Sequence, residues 1–132
     1  YDVLEKNRGK VIYFDFWARW CPPCLAEMEP LKQLRSKFST DDLIIYSICV
    51  SEPKEQWEEC LNEYSLKNRG IECVHVTDYL GIDNYQKIRK QWKIDRMPYY
   101  VLINRKGQII DFGTAACPSN PQLVSRIEEA VK

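Results

Sequence analysis

The chain has 132 residues, 19 basic and 19 acidic side chains and an isoelectric point near 6.8, which predicts one domain and argues against a second. The share of cysteine, six of 132 residues, is below the roughly 8–10% typical of a small domain held together by disulfides. A chain of this length can bury an apolar core large enough to hold the fold without disulfides. The balanced charge argues against a basic surface for nucleic acid or anionic lipid, and no apolar run reaches the roughly 18–20 residues of a membrane span.

The first predicted strand, Lys10–Phe16, is a β-branched and aromatic run. It is apolar on both faces apart from Asp15, a pattern typical of a strand buried between two layers. Farther along, apolar side chains recur at helical spacing from Leu25 to Phe38 and predict an amphipathic helix interrupted at Pro30. The charge inside the strand therefore needs a reason other than packing.

The middle of the chain continues the alternation of strands and helices. Leu43–Val50 is a second apolar strand, and Ser51–Pro53 combines an acceptor side chain with a proline, which predicts the start of a helix. Cys73–Thr77 alternates like a short strand, and the next helix is predicted to begin near Asp83. The predicted order to this point is β-α-β-α-β-α.

The last third of the chain predicts an antiparallel hairpin and a closing helix. Tyr99–Ile103 and Gln108–Phe112 are apolar runs that flank the polar, glycine-containing loop Asn104–Gly107. Asn120 and Pro121 then open a helix with an apolar stripe. Because we find no internal repeat or linker, residues 1–132 are predicted to form a single layered α/β domain.

Two cysteines three residues apart follow the first strand directly, in the segment Trp20-Cys21-Pro22-Pro23-Cys24. At a helix N-terminus Cys21 faces unpaired backbone N–H groups, which favour the thiolate over the thiol. One helical turn separates the two Cα atoms by about the 5–6 Å that a disulfide prefers, so the pair can open and close reversibly. The alternatives are an inert disulfide, or half of a zinc site completed by Cys73 and His75.

The sequence around this pair resembles the thioredoxin superfamily, and closely its extracytoplasmic TlpA and ResA group of thiol-disulfide oxidoreductases. The resemblance implies a thioredoxin fold, with a three-layer α/β/α arrangement, a central mixed sheet and a helix-plus-strand insertion at about residues 51–95. Two features depart from the family: Pro30 lies six rather than five residues after Cys24, and the usual N-terminal hairpin is not in the chain. The resemblance covers about Gly9 to Lys132 and is carried by the blocks Gly9–Cys24, Met97-Pro98 and Ile103–Ile110.

The resemblance also implies roles for individual residues. Cys21 is expected to attack a disulfide, Cys24 to resolve the intermediate, and Asp15 to be the buried carboxylate that moves the proton of the second thiol; a paired strand Asp is the alternative. Glu52 is expected to be a second active-site carboxylate, with a helix N-terminal acid as an equal alternative. The residues expected to contact an extended substrate segment are Trp20, Pro22, Met97 and Pro98, with a cis bond before Pro98.

The other four cysteines and the single histidine carry weaker signals. Cys49 and Cys60 lie at apolar positions of a strand and a helix, where a free cysteine usually behaves as a small hydrophobe. Cys117 lies in a polar loop, where its thiol can be oxidised or can pair with Cys73 or Cys60, so Cys73 and Cys117 stay undecided. His75 alternates with valines and is interpreted as structural.

These features predict an enzyme that exchanges dithiol for disulfide with a protein substrate. We expect the pair to reduce its substrate, although the residues themselves leave the direction of electron flow open, and no metal or organic cofactor is needed. The expected partners are a disulfide-containing protein and an upstream electron donor, with no nucleic acid. Because the chain begins at Tyr1 rather than at a methionine, we expect a further segment upstream. We expect contact with a membrane only if that segment contains an anchor. The resemblance implies an extracytoplasmic location, and we expect a monomer.

Two alternative functions remain open at this point. A peroxiredoxin-like peroxidase usually places its cysteine in a Pro-x-x-x-Thr-x-x-Cys setting, and the residues that precede Cys21, such as Phe14 and Trp17, do not supply that motif. A thioredoxin-fold chaperone could hold Cu(I) with the cysteine pair and either Met97 or His75, because sulfur and imidazole ligands suit a soft metal.

Overall fold

The structure is a computed structural model that describes residues 2–51, 53–79 and 81–132. Within these ranges five strands form one sheet, with the bounds β1 Val11–Trp17, β2 Leu43–Cys49, β3 Ile71–His75, β4 Tyr99–Ile103 and β5 Ile109–Gly113. Their order across the sheet is β3-β2-β1-β4-β5. The β1, β2 and β3 strands are parallel, whereas β4 is antiparallel to both β1 and β5. The predicted mixed sheet is confirmed.

The helices lie on both sides of this sheet and complete three layers. On one side β1 residues such as Ile12 and Phe14 pack with the helices near the N-terminus and in the second half of the chain. On the other side Val11 and Tyr13 pack with the third and last helices. The helix bounds are α1 Asp2–Lys6, α2 Pro22–Ala26, α3 Met28–Lys37, α4 Lys54–Glu63, α5 Val76–Tyr79, α6 Gly81–Gln91 and α7 Pro121–Ala130.

The alternation of side chains along β1 defines the two faces of the sheet. Ile12, Phe14 and Phe16 belong to what we call the α6 face, where they pack with residues of α1, α5 and α6. Tyr13 and Asp15 belong to the α7 face, where Tyr13 packs with residues of α3 and α7. Because all seven residues of β1 are buried, this strand is the centre of the core, as its apolar pattern predicts.

The helix expected after the cysteines is divided at a different residue from the one predicted. The sequence places the interruption at Pro30, but the structure divides the helix at Glu27, between α2 and α3. A proline ring collides with the carbonyl of the fourth residue before it and cannot donate to that carbonyl, so the disruption falls one turn upstream of the proline. Pro30 itself lies in the first turn of α3, where its missing N–H has no consequence.

The segment between β2 and β4 also differs in detail from the prediction. The helix expected at Ser51 begins as α4 at Lys54 with Pro53 as its N-cap, and the Ser51 hydroxyl accepts a hydrogen bond from the Arg19 N–H instead. The β3 strand and α6 each begin two residues before their predicted starts. Residues 51–95 hold α4, β3, α5 and α6, and their assignment as an insertion stays a prediction.

The hairpin and the last helix match the sequence prediction closely. The loop 104–107 closes with Asn104 donating to the Gln108 carbonyl at 2.9 Å, and Gly107 adopts a φ of 80°, which a side chain would disfavour. Asn120 caps α7 by accepting from the Gln122 N–H at 3.0 Å. In the ranges that the structure describes, no helix has both the length and the apolarity needed to cross a membrane.

Candidate functional site

A disulfide joins Cys21 and Cys24 at the carboxyl end of β1, with 5.3 Å between the two Cα atoms. Cys21 is the N-cap of α2, and the Cys24 N–H donates to the Cys21 Sγ at 3.3 Å. Because Pro22 and Pro23 have no N–H, this is the first backbone donor that can reach the sulfur. The predicted spacing and helix N-terminal position are both confirmed.

A Cys21 thiolate is stabilised by a nearby backbone N–H group rather than by the dipole of a long helix. The sequence pattern predicts a helix that continues from the cysteines to an interruption at Pro30, but α2 has only five residues before it ends at Glu27. A short helix contributes mainly through its free N–H groups. The N–H of Cys24 therefore provides the direct stabilisation of negative charge at the Cys21 sulfur.

The cysteine pair is nearly enclosed by apolar side chains. Cys21 is 4% exposed and Cys24 2% exposed, and both pack in one cluster with Trp17, Met28 and residues of α4. In contrast, Trp20 extends its indole into solvent and is 69% exposed. A large exposed indole beside a reactive pair gives an apolar contact surface for another molecule.

Asp15 lies inside the protein on the α7 face of β1, two residues before Trp17. Burial raises the pKa of its carboxyl from the ordinary 3.8 to about 8, and the nearby Glu27 carboxylate adds to the shift. Both causes disfavour a buried negative charge. The buried carboxyl predicted from the sequence is present, and its pKa suits proton exchange near neutral pH.

A row of polar side chains crosses four strands at the level of Asp15. In the strand register Tyr100 of β4 pairs with Asp15, Asp15 with Ser47 of β2, and Ser47 with Cys73 of β3. The Ser47 hydroxyl accepts from the Trp17 indole N–H at 2.9 Å, which connects the row to the apolar cluster around the cysteines. Each strand contributes only one member, so the row cannot be recognised in any single segment of sequence.

Glu27 is a site residue that the sequence analysis missed. Its carboxylate accepts from the Ser119 N–H at 2.9 Å and the Ser119 hydroxyl at 2.7 Å, and its charge contributes to the raised pKa of Asp15. The signal that could have identified it is its position three residues after Cys24, on the same side of the helix. Glu52, which was predicted as the second carboxylate, lies outside the described residues.

The loop after β2 is hydrogen-bonded both to a buried histidine and to the segment before the cysteines. His75 donates from Nε2 to the Ser51 carbonyl at 2.8 Å, because a carbonyl can only accept, and its Nδ1 faces the Thr77 hydroxyl at 2.7 Å. The Ser51 hydroxyl accepts from the N–H of Arg19, two residues before Cys21, at 2.9 Å. His75 is fully buried and satisfied, so its structural interpretation is confirmed.

The segment before β4 brings the predicted substrate contacts next to the pair. The Met97–Pro98 bond is cis, as the resemblance implies, and the Pro98 carbonyl accepts from the Thr114 hydroxyl at 3.1 Å. Met97 packs against the cluster that contains both cysteines. Because β4 is antiparallel to β1, the segment before β4 lies at the carboxyl end of β1, the same end as Trp20 and Pro22. Pro22 is exposed there, whereas Pro98 is buried.

None of the other four cysteines forms a disulfide with another described residue. Cys49 and Cys60 are buried in the apolar cluster, which confirms their interpretation as core residues. Cys73 is half-buried, and burial raises the pKa of its thiol to about 11. Cys117 is also half-buried, with its Sγ 3.6 Å from the Ser119 hydroxyl. Across the described ranges, no three His, Cys, Asp or Glu side chains are grouped as a metal site.

The curated relatives of this chain are longer than it is, and the chain matches only part of each of them. Thiol-disulfide oxidoreductase ResA of Bacillus thuringiensis is 26% identical over 108 residues, which are 82% of this chain and 57% of that protein. ResA of Halalkalibacterium halodurans is 24% identical over 129 residues, 98% of this chain and 66% of that protein. The chain thus spans between about a half and two thirds of these curated relatives.

Solved structures similar to this chain have the same fold. The thioredoxin domain of a thiol-disulfide oxidoreductase from Bacteroides vulgatus superposes with a TM-score of 0.79 at 21% identity, covering 98% of this chain and 84% of that one. A second Bacteroides vulgatus protein has 32% identity and a TM-score of 0.73, over 96% of this chain and 76% of that one. The thioredoxin fold and the resemblance to the ResA group are confirmed. The family model described as Redoxin matches residues 1–130, and the chain belongs to the Redoxin family.

Proposed function

We propose that this protein is a thiol-disulfide oxidoreductase that exchanges the Cys21–Cys24 pair with disulfides of protein substrates. The observation that carries the proposal is the disulfide at the N-terminus of α2, together with the buried, raised-pKa carboxyl of Asp15, two residues before the Trp17 that packs with the pair. The names of the ResA relatives, which are thiol-disulfide oxidoreductases, support the same chemistry. We further propose that the pair acts as a reductant.

The reaction begins with the reduced pair. The Cys21 thiolate attacks one sulfur of a substrate disulfide, so a bond forms between Cys21 and that sulfur and the substrate S–S bond breaks. The departing substrate thiolate takes a proton from solvent. The Cys24 N–H, at hydrogen-bond distance from the Cys21 sulfur, stabilises the attacking thiolate.

The second step releases the substrate. Asp15 accepts the Cys24 proton, and the Cys24 thiolate then attacks the Cys21 sulfur, so that the Cys21–Cys24 disulfide forms while the mixed disulfide breaks. The second substrate thiolate takes a proton as it leaves. Two electrons have passed to the substrate, and a donor must return them before the next cycle.

The proposed substrate contacts surround the exposed side of the pair. Trp20 supplies an apolar surface, while Pro22, Met97 and Pro98 border the place where an extended segment approaches Cys21. Burial of such a segment also excludes water from the exchange reaction. The assignment of Glu52 as a second carboxylate stays a prediction.

The direct test compares single cysteine variants on a protein disulfide such as that of insulin. Cys21→Ser removes the attacking sulfur and is expected to abolish reduction, whereas Cys24→Ser is expected to accumulate a mixed disulfide because the resolving thiol is lost. Cys117→Ser is the matched control and should reduce insulin at the wild-type rate. Reduction by Cys21→Ser at the wild-type rate would contradict the proposal, as would consumption of peroxide faster than that of a simple dithiol.

The reducing direction has its own test, the reduction potential of the pair measured against a glutathione buffer. A value near about −270 mV is expected of a reductant, whereas a value near about −120 mV is that of an oxidant and would reverse the proposed direction. Extracytoplasmic location, a monomeric state and an upstream electron donor are further proposals that rest on the resemblance. Fractionation of the native protein and its size in solution test the first two.

A further inference from the structure

A groove next to the cysteine pair has no part in the reaction steps described above. It lies between Trp20, Tyr85 and Arg89 of α6, and the loop 94–97, and it encloses about 320 Å³. We refer to it as the α6 groove. Its volume is at the lower end of the range for ligand pockets, roughly 300–1,000 Å³, so it suits one large side chain rather than an organic cofactor.

The interior of the α6 groove is apolar. Tyr85 and Ile94 line it and are 7% and 3% exposed, so each turns only an edge toward the groove. The Trp20 indole is 69% exposed and forms one wall. An apolar side chain bound in the groove would cover the Trp20 indole. Binding is favoured because both the indole surface and the surface of the bound side chain are then removed from water.

The rim of the α6 groove is positively charged. Arg89 donates from Nε to the Ile94 carbonyl at 3.2 Å, which holds its guanidinium over the loop. Arg96 lies 3.6 Å from the Asp95 carboxylate, with both side chains 71% exposed. A pair that is this long and this exposed is weak. Among the residues that the structure describes, the lining therefore has two guanidinium groups and one carboxylate, in a chain whose net charge is zero.

The groove shares two of its walls with the reaction site. Trp20 directly precedes Cys21, and Met97 packs against the cluster that holds both cysteines. Trp20 and Met97 thus connect the α6 groove to the cysteine pair, so a neighbouring side chain of a segment bound at Cys21 can reach the groove. The next position along that segment reaches the rim, where Arg89 and Arg96 can bind a carboxylate.

We propose that the α6 groove selects protein disulfides whose reacting cysteine is flanked by a bulky apolar side chain and then by a carboxylate side chain. This inference rests on the proposed function and specifies the substrate class of the same site. The apolar side chain fills the groove, and the carboxylate pairs with the guanidinium groups at its rim. Substrates with a basic residue at the second position are disfavoured by like charge.

The experiment uses three peptides, each with one cysteine activated as a neutral 2-thiopyridyl disulfide. They differ only in two positions, the residue adjacent to that cysteine and the residue beyond it. These two residues are, in that order, Phe-Glu, Phe-Lys or Ala-Glu. The reduced protein attacks the peptide sulfur through Cys21, and release of pyridine-2-thione gives the second-order rate constant. At low ionic strength the Phe-Glu peptide is expected to react about ten-fold faster than Phe-Lys, and this ratio should fall as salt is added. It should also react about ten-fold faster than Ala-Glu.

Arginine variants connect the charge preference to the groove. The Arg89→Gln and Arg96→Gln variants should each lower the ratio of the Phe-Glu to the Phe-Lys rate, and the double variant should bring it to about one. Arg69→Gln is the matched control, because Arg69 also donates from Nε to a nearby carbonyl, that of Ser65, but does not line the groove. It should leave the ratio unchanged.

The outcomes separate this inference from the proposed function. If wild-type protein reacts equally with Phe-Glu and either of the other peptides, or if the double variant keeps the wild-type charge preference, the α6 groove does not select this substrate class. Loss of thione release in Cys21→Ser would at the same time leave the proposed function intact. Release at the wild-type rate by Cys21→Ser would instead contradict the proposed function itself.

Discussion

The α6 face and the α7 face of the sheet are built from alternate residues of the same strands, yet they bury different chemistry. On the α6 face Phe14 has its ring centroid 5.6 Å from Tyr46 and 5.5 Å from Trp92, within a cluster of aromatic and aliphatic side chains. On the α7 face Tyr13 stacks on Tyr100 with centroids 5.8 Å apart, next to the buried carboxyl of Asp15.

This difference indicates that the two faces have different tasks. Hydrocarbon and aromatic burial is the main stabilising contribution to folding, and the α6 face supplies it without a buried carboxyl among the described residues. A buried carboxyl lowers stability when it is charged, but it holds a proton near neutral pH. The α7 face is thus less stable when Asp15 is charged, but it holds a carboxyl that can exchange protons near neutral pH.

The largest expected effect on stability is that of Phe14→Ala on the α6 face. Removal of a buried phenylalanine leaves a cavity, and the free energy of unfolding should fall by about 3–5 kcal/mol. Urea denaturation measures this change. The matched control is Phe112→Ala, because Phe112 is 64% exposed and its removal should change stability by about 0.5 kcal/mol or less. Equal losses in the free energy of unfolding for the two variants would contradict this expectation, because they would show that burial on the α6 face adds no stability.

An intermediate effect, and one that depends on pH, is expected for Asp15→Asn on the α7 face. Asp15 has a folded pKa of about 8 against an ordinary 3.8, so the folded wild type binds the extra proton between these values. The free energy of unfolding therefore falls as pH rises from about 4 to about 8. Asparagine carries no charge, so the variant should be more stable than wild type by a few kcal/mol at about pH 8–9.

Two measurements on the Asp15→Asn variant check this expectation. Urea denaturation of the oxidised protein at several pH values should show the difference between the variant and wild type growing from near zero at about pH 4. In the reduced protein, resolution of the mixed disulfide should rise with pH through about 8 in wild type, and this inflection should disappear in the variant. A stability difference that is constant with pH would show that the carboxyl has an ordinary pKa.

The smallest expected effects come from the two stacked tyrosines of the α7 face. The Tyr13 hydroxyl donates to the Ala116 carbonyl at 2.6 Å, so Tyr13→Phe should lower the free energy of unfolding by about 0.5–1.5 kcal/mol. The Tyr100 hydroxyl is buried and has no hydrogen-bond partner in the described part of the chain, so Tyr100→Phe should be neutral or stabilising. Urea denaturation compares the two, and a similar loss in both variants would mean that the Tyr100 hydroxyl is also bonded.

Much of the fold follows from local patterns in the sequence. The β1, β2 and β4 strands are mainly apolar runs, and the loop 104–107 and the cap at Asn120 use residues suited to those conformations. The errors occur where a distant or steric interaction competes with a local signal. Ser51 has the side chain of a helix cap, but its hydroxyl bonds the Arg19 N–H, and Pro30 moves the helix break to Glu27.

The candidate site likewise contains residues that could be predicted from the sequence and one that could not. The Cys21–Cys24 pair, its place at a helix N-terminus and the buried Asp15 could be predicted, because each depends on residues within one strand and one turn. Glu27 was missed, since only the contact with Ser119 and its charge effect on Asp15 distinguish it from other helix acids. Glu52 lies outside the described residues and stays a prediction.

The six cysteines were resolved partly by sequence and partly by the fold. The sequence by itself predicted the Cys21–Cys24 pair, because a separation of three residues within one helical turn holds two sulfurs close together whatever the rest of the chain does. The tertiary structure decided the row of Tyr100, Asp15, Ser47 and Cys73, and the charged rim of the α6 groove. Both join segments that are far apart in the chain, and only strand pairing and helix packing bring such segments together.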